Sequence, residues 1–182
     1  MLQASAFSVS DEIHIRRAEP GDADVLSRIA FTAKGYWGYP ERWMELWRDG
    51  LTITSDFVRG NEVHAAIVRE ELAGFYALVG EGPRMELEHL WVLPKRMGLG
   101  LGRTLFEHAL DKAAQLGAER IGIEADPNAE DFYKRMGATR VGEIVYELDG
   151  RERVLPLLTV DVRARKSSRA SPRTARRRRR RR

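Results

Sequence analysis

Short apolar runs rich in β-branched residues alternate along the chain with stretches whose apolar residues recur every three or four positions. A period of two marks a half-buried strand, and a period near 3.6 marks an amphipathic helix. Residues 13–18 read as a first strand, closed by Glu19-Pro20-Gly21-Asp22, where Asp22 can cap a helix. Val25, Leu26, Ile29 and Ala33 form the stripe of that helix. Residues 34–39 are a loop of glycines and aromatics. Pro40 suits the first position of a second helix with Trp43, Leu46 and Trp47 on one face, and Ser55 is placed to cap a short third turn. Residues 63–68 and 72–79, parted by Arg69-Glu70-Glu71, predict a hairpin.

Residues 84–93 are a further strand, ended by Pro94, and residues 98–102 are a glycine-rich turn. A helix from Leu101 carries Leu105, Ala109, Ala113 and Leu116 at helical spacing, and Gly117 stops it. A strand at 119–125, a short helix at 129–136 closed by Gly137, a strand at 138–143 and a last strand at 154–162, interrupted by Pro156, complete the chain. The order is β-α-α-β-β-β-α-β-α-β-β. Hairpins together with a β-α-β unit predict a single α/β domain, residues 13–162, built on a mixed sheet.

Composition removes several function classes. The 182 residues suit one domain with a core large enough for an enzyme. There is no cysteine, so disulfides, thiolate zinc, iron–sulfur clusters and a cysteine nucleophile are excluded. His14, His64, His89 and His108 are scattered without HxxxH spacing, so no metal is expected. No apolar run approaches the ~18 residues of a membrane span. The first residues show neither a basic nor an apolar leader region, so no membrane association and a cytoplasmic location are expected.

The net charge of +4 conceals two opposed parts. Twelve of the 31 Lys and Arg fall in residues 163–182, which hold no acid, leaving 19 against 27 acids and a body of −8. Residues 1–12 and the arginine-rich tail 163–182 are expected to be disordered, the tail because its like charges repel and it has no apolar period. Two readings of the tail stay open: a non-specific nucleic-acid arm, or a solvated extension with no role.

The most informative segment spans residues 90–105, where a strand feeds a glycine turn that opens a helix. Without side chains at Gly98, Gly100 and Gly102, successive N–H groups can converge on an anion at the positive end of the helix, with Arg103 and Thr104 as further donors. In physical terms this is a diphosphate cradle. A P-loop needs Lys-Ser/Thr after its last glycine, which is absent. A dinucleotide fingerprint needs glycine where Arg103 stands. A turn that only packs closely remains possible from this segment alone.

With a second segment, Asn128-Ala-Glu-Asp-Phe-Tyr-Lys-Arg-Met-Gly-Ala138, the chain resembles the GNAT superfamily of N-acetyltransferases over residues 13–162. Gly100 and Gly102 match the glycines of the family's Q/R-x-x-G-x-G/A loop. Met97 stands at its Q/R position, which leaves Arg96 or Arg103 to supply that donor. Ala129, Phe132, Tyr133 and Gly137 fit A-x-x-F-Y-x-x-x-G-F, and Ala138 replaces its phenylalanine. The resemblance implies a mostly antiparallel mixed sheet flanked by helices, and acetyl-CoA as co-substrate. It implies that Leu90, Trp91 and Val92, the loop residues Met97, Gly98, Leu99, Gly100, Leu101, Gly102, Arg103 and Thr104, and Asn128 and Tyr133 hold the cofactor. Val92 takes the position whose backbone pairs with the pantetheine amide, and Tyr133 that of the acid for the CoA thiolate. The resemblance also puts the segment after the first helix, with Tyr36, Trp37 and Tyr39, beside the acceptor.

Acetyl transfer to an amine needs a neutral nitrogen, donors for the carbonyl oxygen and a proton for the leaving thiolate. An amine of pKa ~10.4 must lose a proton to a base. Alternation on the strand before the loop puts Glu86 and Glu88 on one face and His89 on the other, unless a bulge shifts His89. Glu86 lies six residues before Val92, where some family members carry a catalytic glutamate. Both glutamates rank above His89, which joins Tyr36, Trp37 and Tyr39 as an acceptor-side residue; the glutamates could also simply bind a cationic acceptor. The absence of cysteine favours direct attack in a ternary complex. The acidic body favours a cationic acceptor: polyamine, aminoglycoside, amino acid, protein N-terminus or lysine. A non-catalytic acyl-CoA-binding regulator, or a nucleic-acid-associated protein using its tail, are the other readings, and monomer or homodimer both fit.

Overall fold

The computed structural model describes residues 12–162. The expectations for the two termini fall, apart from Glu12, outside the described residues. Among these residues seven strands form one sheet in the order β1-β2-β3-β4-β5-β7-β6. They are β1 (Ile13–Arg17), β2 (Glu62–Val68), β3 (Glu71–Val79), β4 (Arg84–Val92), β5 (Arg120–Glu124), β6 (Thr139–Leu148) and β7 (Arg151–Asp161). Every neighbouring pair is antiparallel except β4 and β5. Helices α1 (Ala23–Gly35), α2 (Glu41–Leu46), α3 (Arg48–Leu51) and α4 (Ser55–Gly60) precede β2, while α5 (Leu101–Gln115) and α6 (Glu130–Arg135) flank β5. The predicted mixed, mostly antiparallel α/β domain is therefore present, element by element.

The sheet separates two apolar cores. One packs Leu101, Leu105, Phe106 and Ala109 of α5 on Tyr76, Leu87, Ile121 and Leu158. The other packs Leu26, Ile29 and Ala30 of α1 with Leu51 and Val58 on Val63, Phe75 and Ala77. Leu116, expected on the buried stripe of α5, is exposed past the helix end. Thr54 rather than Ser55 caps α4, its hydroxyl accepting from the Phe57 N–H.

The last hairpin is longer than the sequence pattern indicated. The strands expected at 138–143 and 154–162 are joined by the turn Asp149-Gly150, both residues in the left-handed region. β6 is an edge strand with no buried residue: its first five positions are all exposed, and Ile144, Tyr146 and Leu148 are only half-buried. The Asp-Gly pair was its one strong signal.

β4 carries the feature that makes the site. Ala77 pairs with His89 and Leu78 with Leu87, so Glu88 is an extra residue, a β-bulge. Strict alternation had put His89 opposite Glu86; the bulge reverses this. Met85 and Leu87 pack into the α5 core, while His89 lies against Phe57 and Phe75 on the other face, the side that Glu86 also takes. The parallel ladder between β4 and β5 also ends early, at Glu86 and Gly122. Beyond that point the β5-side backbone groups of β4 face a cleft instead of a strand.

Candidate active site

The cleft between the separated strands has a volume of about 660 Å³. Its floor is Leu87, Glu88 and Leu90 to Val92 of β4. One end is the glycine loop, the opposite wall is Glu124, Asp126 and Asn128, and Phe132 and Tyr133 of α6 with Met136 just after it close the side.

At the loop end, Gly98 (φ 76°) and Gly100 (φ 90°) take the left-handed conformation that lets the chain turn sharply into α5. Gly102 has ordinary helical geometry. A Cβ there would lie 3.5 Å from Phe132 and 3.8 Å from Val92, ordinary packing distances, so this glycine sits directly against the cleft lining. The first-turn N–H groups of α5 have no partner within the helix. Arg103 and Arg135 also line the cleft, and guanidinium groups beside free helix-start N–H groups are chemically suited to an anion. Arg96 lies on the one-turn helix before the loop, and Met97 lines the cleft with extended backbone. Thr104, expected as a further donor, gives its hydroxyl proton to the Gly100 carbonyl at 3.2 Å. Leu101 is fully buried and anchors the helix, and Leu99 points outward. This end fits a diphosphate, and the unpaired edge of β4 fits an extended amide-bearing arm.

Tyr133 is almost fully buried, packed against Phe106 and Phe132, and borders the cleft. Burial, with the Asp126 carboxylate adding to it, raises its phenol well above the ordinary value, so it stays protonated at any working pH. Glu88 enters the cleft at the bulge. Burial raises its carboxyl first, and the charges of Glu124 and Glu86 raise it further. Glu86 does not line the cleft; it lies over Gly122 and accepts from Arg84 Nε at 3.1 Å. His89 is sealed under Phe57 and Phe75, its Nδ1 accepts from Trp91 Nε1 at 3.1 Å, and burial lowers its pKa to about 4.

Of the expected acceptor-side aromatics, Trp37 reaches the cleft and Tyr36 is exposed beside it. Tyr39 instead sits behind the wall, in a cluster with no sequence signal of its own. Asp126 Oδ2 accepts from Lys34 Nζ at 2.5 Å and from Arg153 at 3.2 Å, and Tyr39 OH lies 2.8 and 2.9 Å from its two oxygens. Arg153 also donates to Tyr39 OH at 2.9 Å. The Lys34 ammonium stands 4.3 Å over the Trp47 ring, and the Arg153 guanidinium 4.8 Å over it. The side chains of Lys34, Asp126 and Arg153 are 11%, 9% and 7% exposed. Burial pushes the Asp126 carboxyl up, but Lys34 and the donors around it outweigh that and hold it below the usual range. Burial wins at Lys34, whose ammonium is moved down despite Asp126. Glu124, Asp131 and Arg135 are further cleft residues that the sequence did not single out. Only the turn Asp126-Pro127-Asn128 offered a hint, since Asp126 accepts from the Asn128 N–H as an Asx turn does. Among the described residues there is no cluster of metal ligands, and no helix is long and apolar enough to cross a membrane.

This combination of fold and cleft has relatives. Peptidyl-lysine N-acetyltransferase YjaB of Salmonella typhimurium is 32% identical over 109 residues, covering 59% of this chain and 70% of that protein. The solved GCN5-related N-acetyltransferase (aminotransferase, class-II) of Rhodopseudomonas palustris matches 86% of this chain and 99% of its own, at 21% identity and a TM-score of 0.70. PaiA N-acetyltransferase of Thermoplasma acidophilum, in complex with coenzyme A, matches 82% and 99% at 20% identity and a TM-score of 0.65. The model of the acetyltransferase (GNAT) family covers residues 26–138, from the first helix through the glycine loop to the segment after Tyr133. With fold, loop and family model in agreement, the chain belongs to the GNAT family of N-acetyltransferases.

Proposed function

We propose that this chain moves the acetyl group of acetyl-CoA to a cationic amine by direct attack, with both substrates bound in the cleft. One observation carries the reading: the bulge at Glu88 turns a carboxylate into the same opening that holds the glycine loop and Tyr133. Acetyl-CoA supplies the activated acyl thioester. Residues 98–103 hold its diphosphate, and the free edge of β4 through Val92 aligns its amide arm.

Glu88 takes the proton from the acceptor amine. Its raised carboxyl is a better base near neutrality than an ordinary glutamate, because basicity rises with pKa. Asp126, held low by its donors, is a poor base, and neutral His89 is walled off. Tyr133 delivers a hydrogen bond and then a proton to the leaving sulfur.

The acidic wall of Glu88 and Glu124 suits an acceptor that arrives charged. The peptidyl-lysine activity in the name of the Salmonella relative makes a protein lysine the first candidate. Residues 13–162 suffice for this chemistry, and the arginine tail contributes at most salt-sensitive polyanion contact. The test is thiol release from acetyl-CoA against a panel of amines that includes lysine peptides, for the native chain, Tyr133→Phe and Glu88→Gln. Each general acid or base is worth about 10²–10⁴-fold, so kcat should fall in that range with acetyl-CoA affinity retained. A panel without turnover, alongside tight acetyl-CoA binding, would favour a non-catalytic acyl-CoA-binding regulator.

A further inference from the structure

Asn128 borders the cleft, yet its amide nitrogen faces the other way. Nδ2 donates to the Tyr39 hydroxyl at 2.8 Å and to Asp126 Oδ1 at 3.1 Å. A carboxamide has two N–H donors, so both are used there. What remains for a ligand is the carbonyl oxygen, Oδ1, an acceptor.

The orientation is enforced from behind. Turning the amide over would set its oxygen against the Asp126 carboxylate and the Tyr39 oxygen, replacing two donors with a repulsive contact. Tyr39 can accept from Asn128 because its single proton goes to Asp126. Asp126 accepts that proton as a carboxylate, and Lys34 and Arg153 keep it ionised. The chain of dependence runs from the two buried cations to Asp126, then Tyr39, then Asn128. It joins α1, β7 and the turn before α6, which are distant in sequence.

We propose that Tyr39 is a positioning residue that fixes the Asn128 amide with its oxygen toward the cofactor, where it receives an N–H or O–H of bound acetyl-CoA. This rests on the reading that acetyl-CoA occupies the cleft beside Asn128. It moves Tyr39 from contacting the acceptor to acting through Asn128.

Tyr39→Phe is a clean probe, because the ring is held by packing. It stacks on Trp43 at 6.0 Å between centroids and meets Trp47 edge-on at 5.0 Å, contacts that phenylalanine retains. Acetyl-CoA affinity is measured by calorimetry for the native chain, Tyr39→Phe, Asn128→Ala and the double variant. Each single change should weaken binding about tenfold, the scale of one oriented hydrogen bond. The double variant should be no weaker than Asn128→Ala, since Tyr39 has nothing left to orient. Additive losses, or full affinity in Tyr39→Phe while Asn128→Ala is impaired, would overturn the inference. Full affinity in Asn128→Ala would overturn it too, whereas a native chain that binds no acetyl-CoA would instead overturn the cofactor reading beneath it. A second measurement needs no change at position 39. The side-chain NH₂ signal of Asn128, assigned by its loss in Asn128→Ala, should stay protected from exchange when acetyl-CoA is titrated in. Release of that protection on binding would mean the nitrogen turns to the ligand, and the proposal fails.

Discussion

The two ends of the cleft are built on opposite principles. At the glycine-loop end, where we propose the cofactor diphosphate binds, residues 98 to 103 are consecutive in sequence and offer chiefly main-chain N–H groups at a helix start. At the opposite wall Lys34, Tyr39, Asp126, Asn128 and Arg153 meet from three separate parts of the chain, through side chains alone except for one backbone N–H. The first end asks little of the surrounding fold: glycines in the left-handed region and a helix start suffice. The second end cannot exist until the sheet has closed, and it keeps three ionised groups out of water. A change at the loop should therefore damage ligand binding and spare the fold. A change in the buried cluster should damage the fold as well.

Gly100→Asp tests the first half of that contrast and has the largest expected effect. At φ 90° a side chain brings backbone strain, and the new carboxylate stands on the loop proposed to hold the diphosphate. Acetyl-CoA affinity should fall by about 100-fold or more, since strain and charge together are worth at least ~3 kcal/mol. Calorimetry reads the affinity and circular dichroism the fold. Unchanged affinity would remove the loop from the site, and collapse of the fold would show that the loop is not an independent part.

Lys34→Met tests the second half. Removing one partner from a buried ion pair leaves the other charge poorly compensated, typically at ~3–5 kcal/mol. Arg153 still lies 3.2 Å from Asp126, so the loss should be smaller, about 2–3 kcal/mol by the same reasoning. Arg84, paired with Glu86 at the surface and 74% exposed, is the control, and Arg84→Met should leave the urea midpoint where it was. A Lys34→Met midpoint equal to that of the control would mean that the cluster adds nothing to stability and serves orientation alone.

The same contrast explains what could be read from the chain before folding. Residues 98–105 announce themselves because their chemistry is local: glycine spacing, the preceding strand and the helix stripe sit in one window. Phe132 and Tyr133 are legible for the same reason. Lys34 and Arg153 look like any surface cations, and only the packing of Trp43 and Trp47 around them shows otherwise. The Asp149-Gly150 turn and the strand residues on either side of it were missed because β6, at the edge, is exposed over its first five residues and only half-buried beyond them. The placement of His89 turned on a single extra residue. Period-two reasoning is reliable along an unbroken strand, and one bulge inverts every assignment beyond it. Where a bulge will fall depends on how β3 and β4 settle against two cores, which no local pattern in β4 records.

The smallest expected effect is also the one that decides how the bulge works. Glu86 and Glu88 are equivalent by sequence, two glutamates on one strand beside the loop, and they differ only because Glu88 is the residue the ladder skips. Glu86 lies flat on β5, so close that a Cβ on Gly122 would be 1.9 Å from its Oε2, and its carboxylate is 42% exposed beside Arg84. It reaches the chemistry only through its charge, as the smallest of the three influences that raise the Glu88 carboxyl. Glu86→Gln removes that like charge, so the Glu88 pKa should fall slightly and the acidic limb of kcat/KM should move to marginally lower pH. Solvent screens charges that do not touch, so turnover itself should change by under about threefold. Glu88→Gln removes the base and should lower kcat by about 10²-fold or more. Steady-state rates of the two variants across pH, with the best amine of the panel, separate them. Equal losses would mean that the proton leaves through a shared carboxylate pair, and the bulge would then not be what distinguishes them.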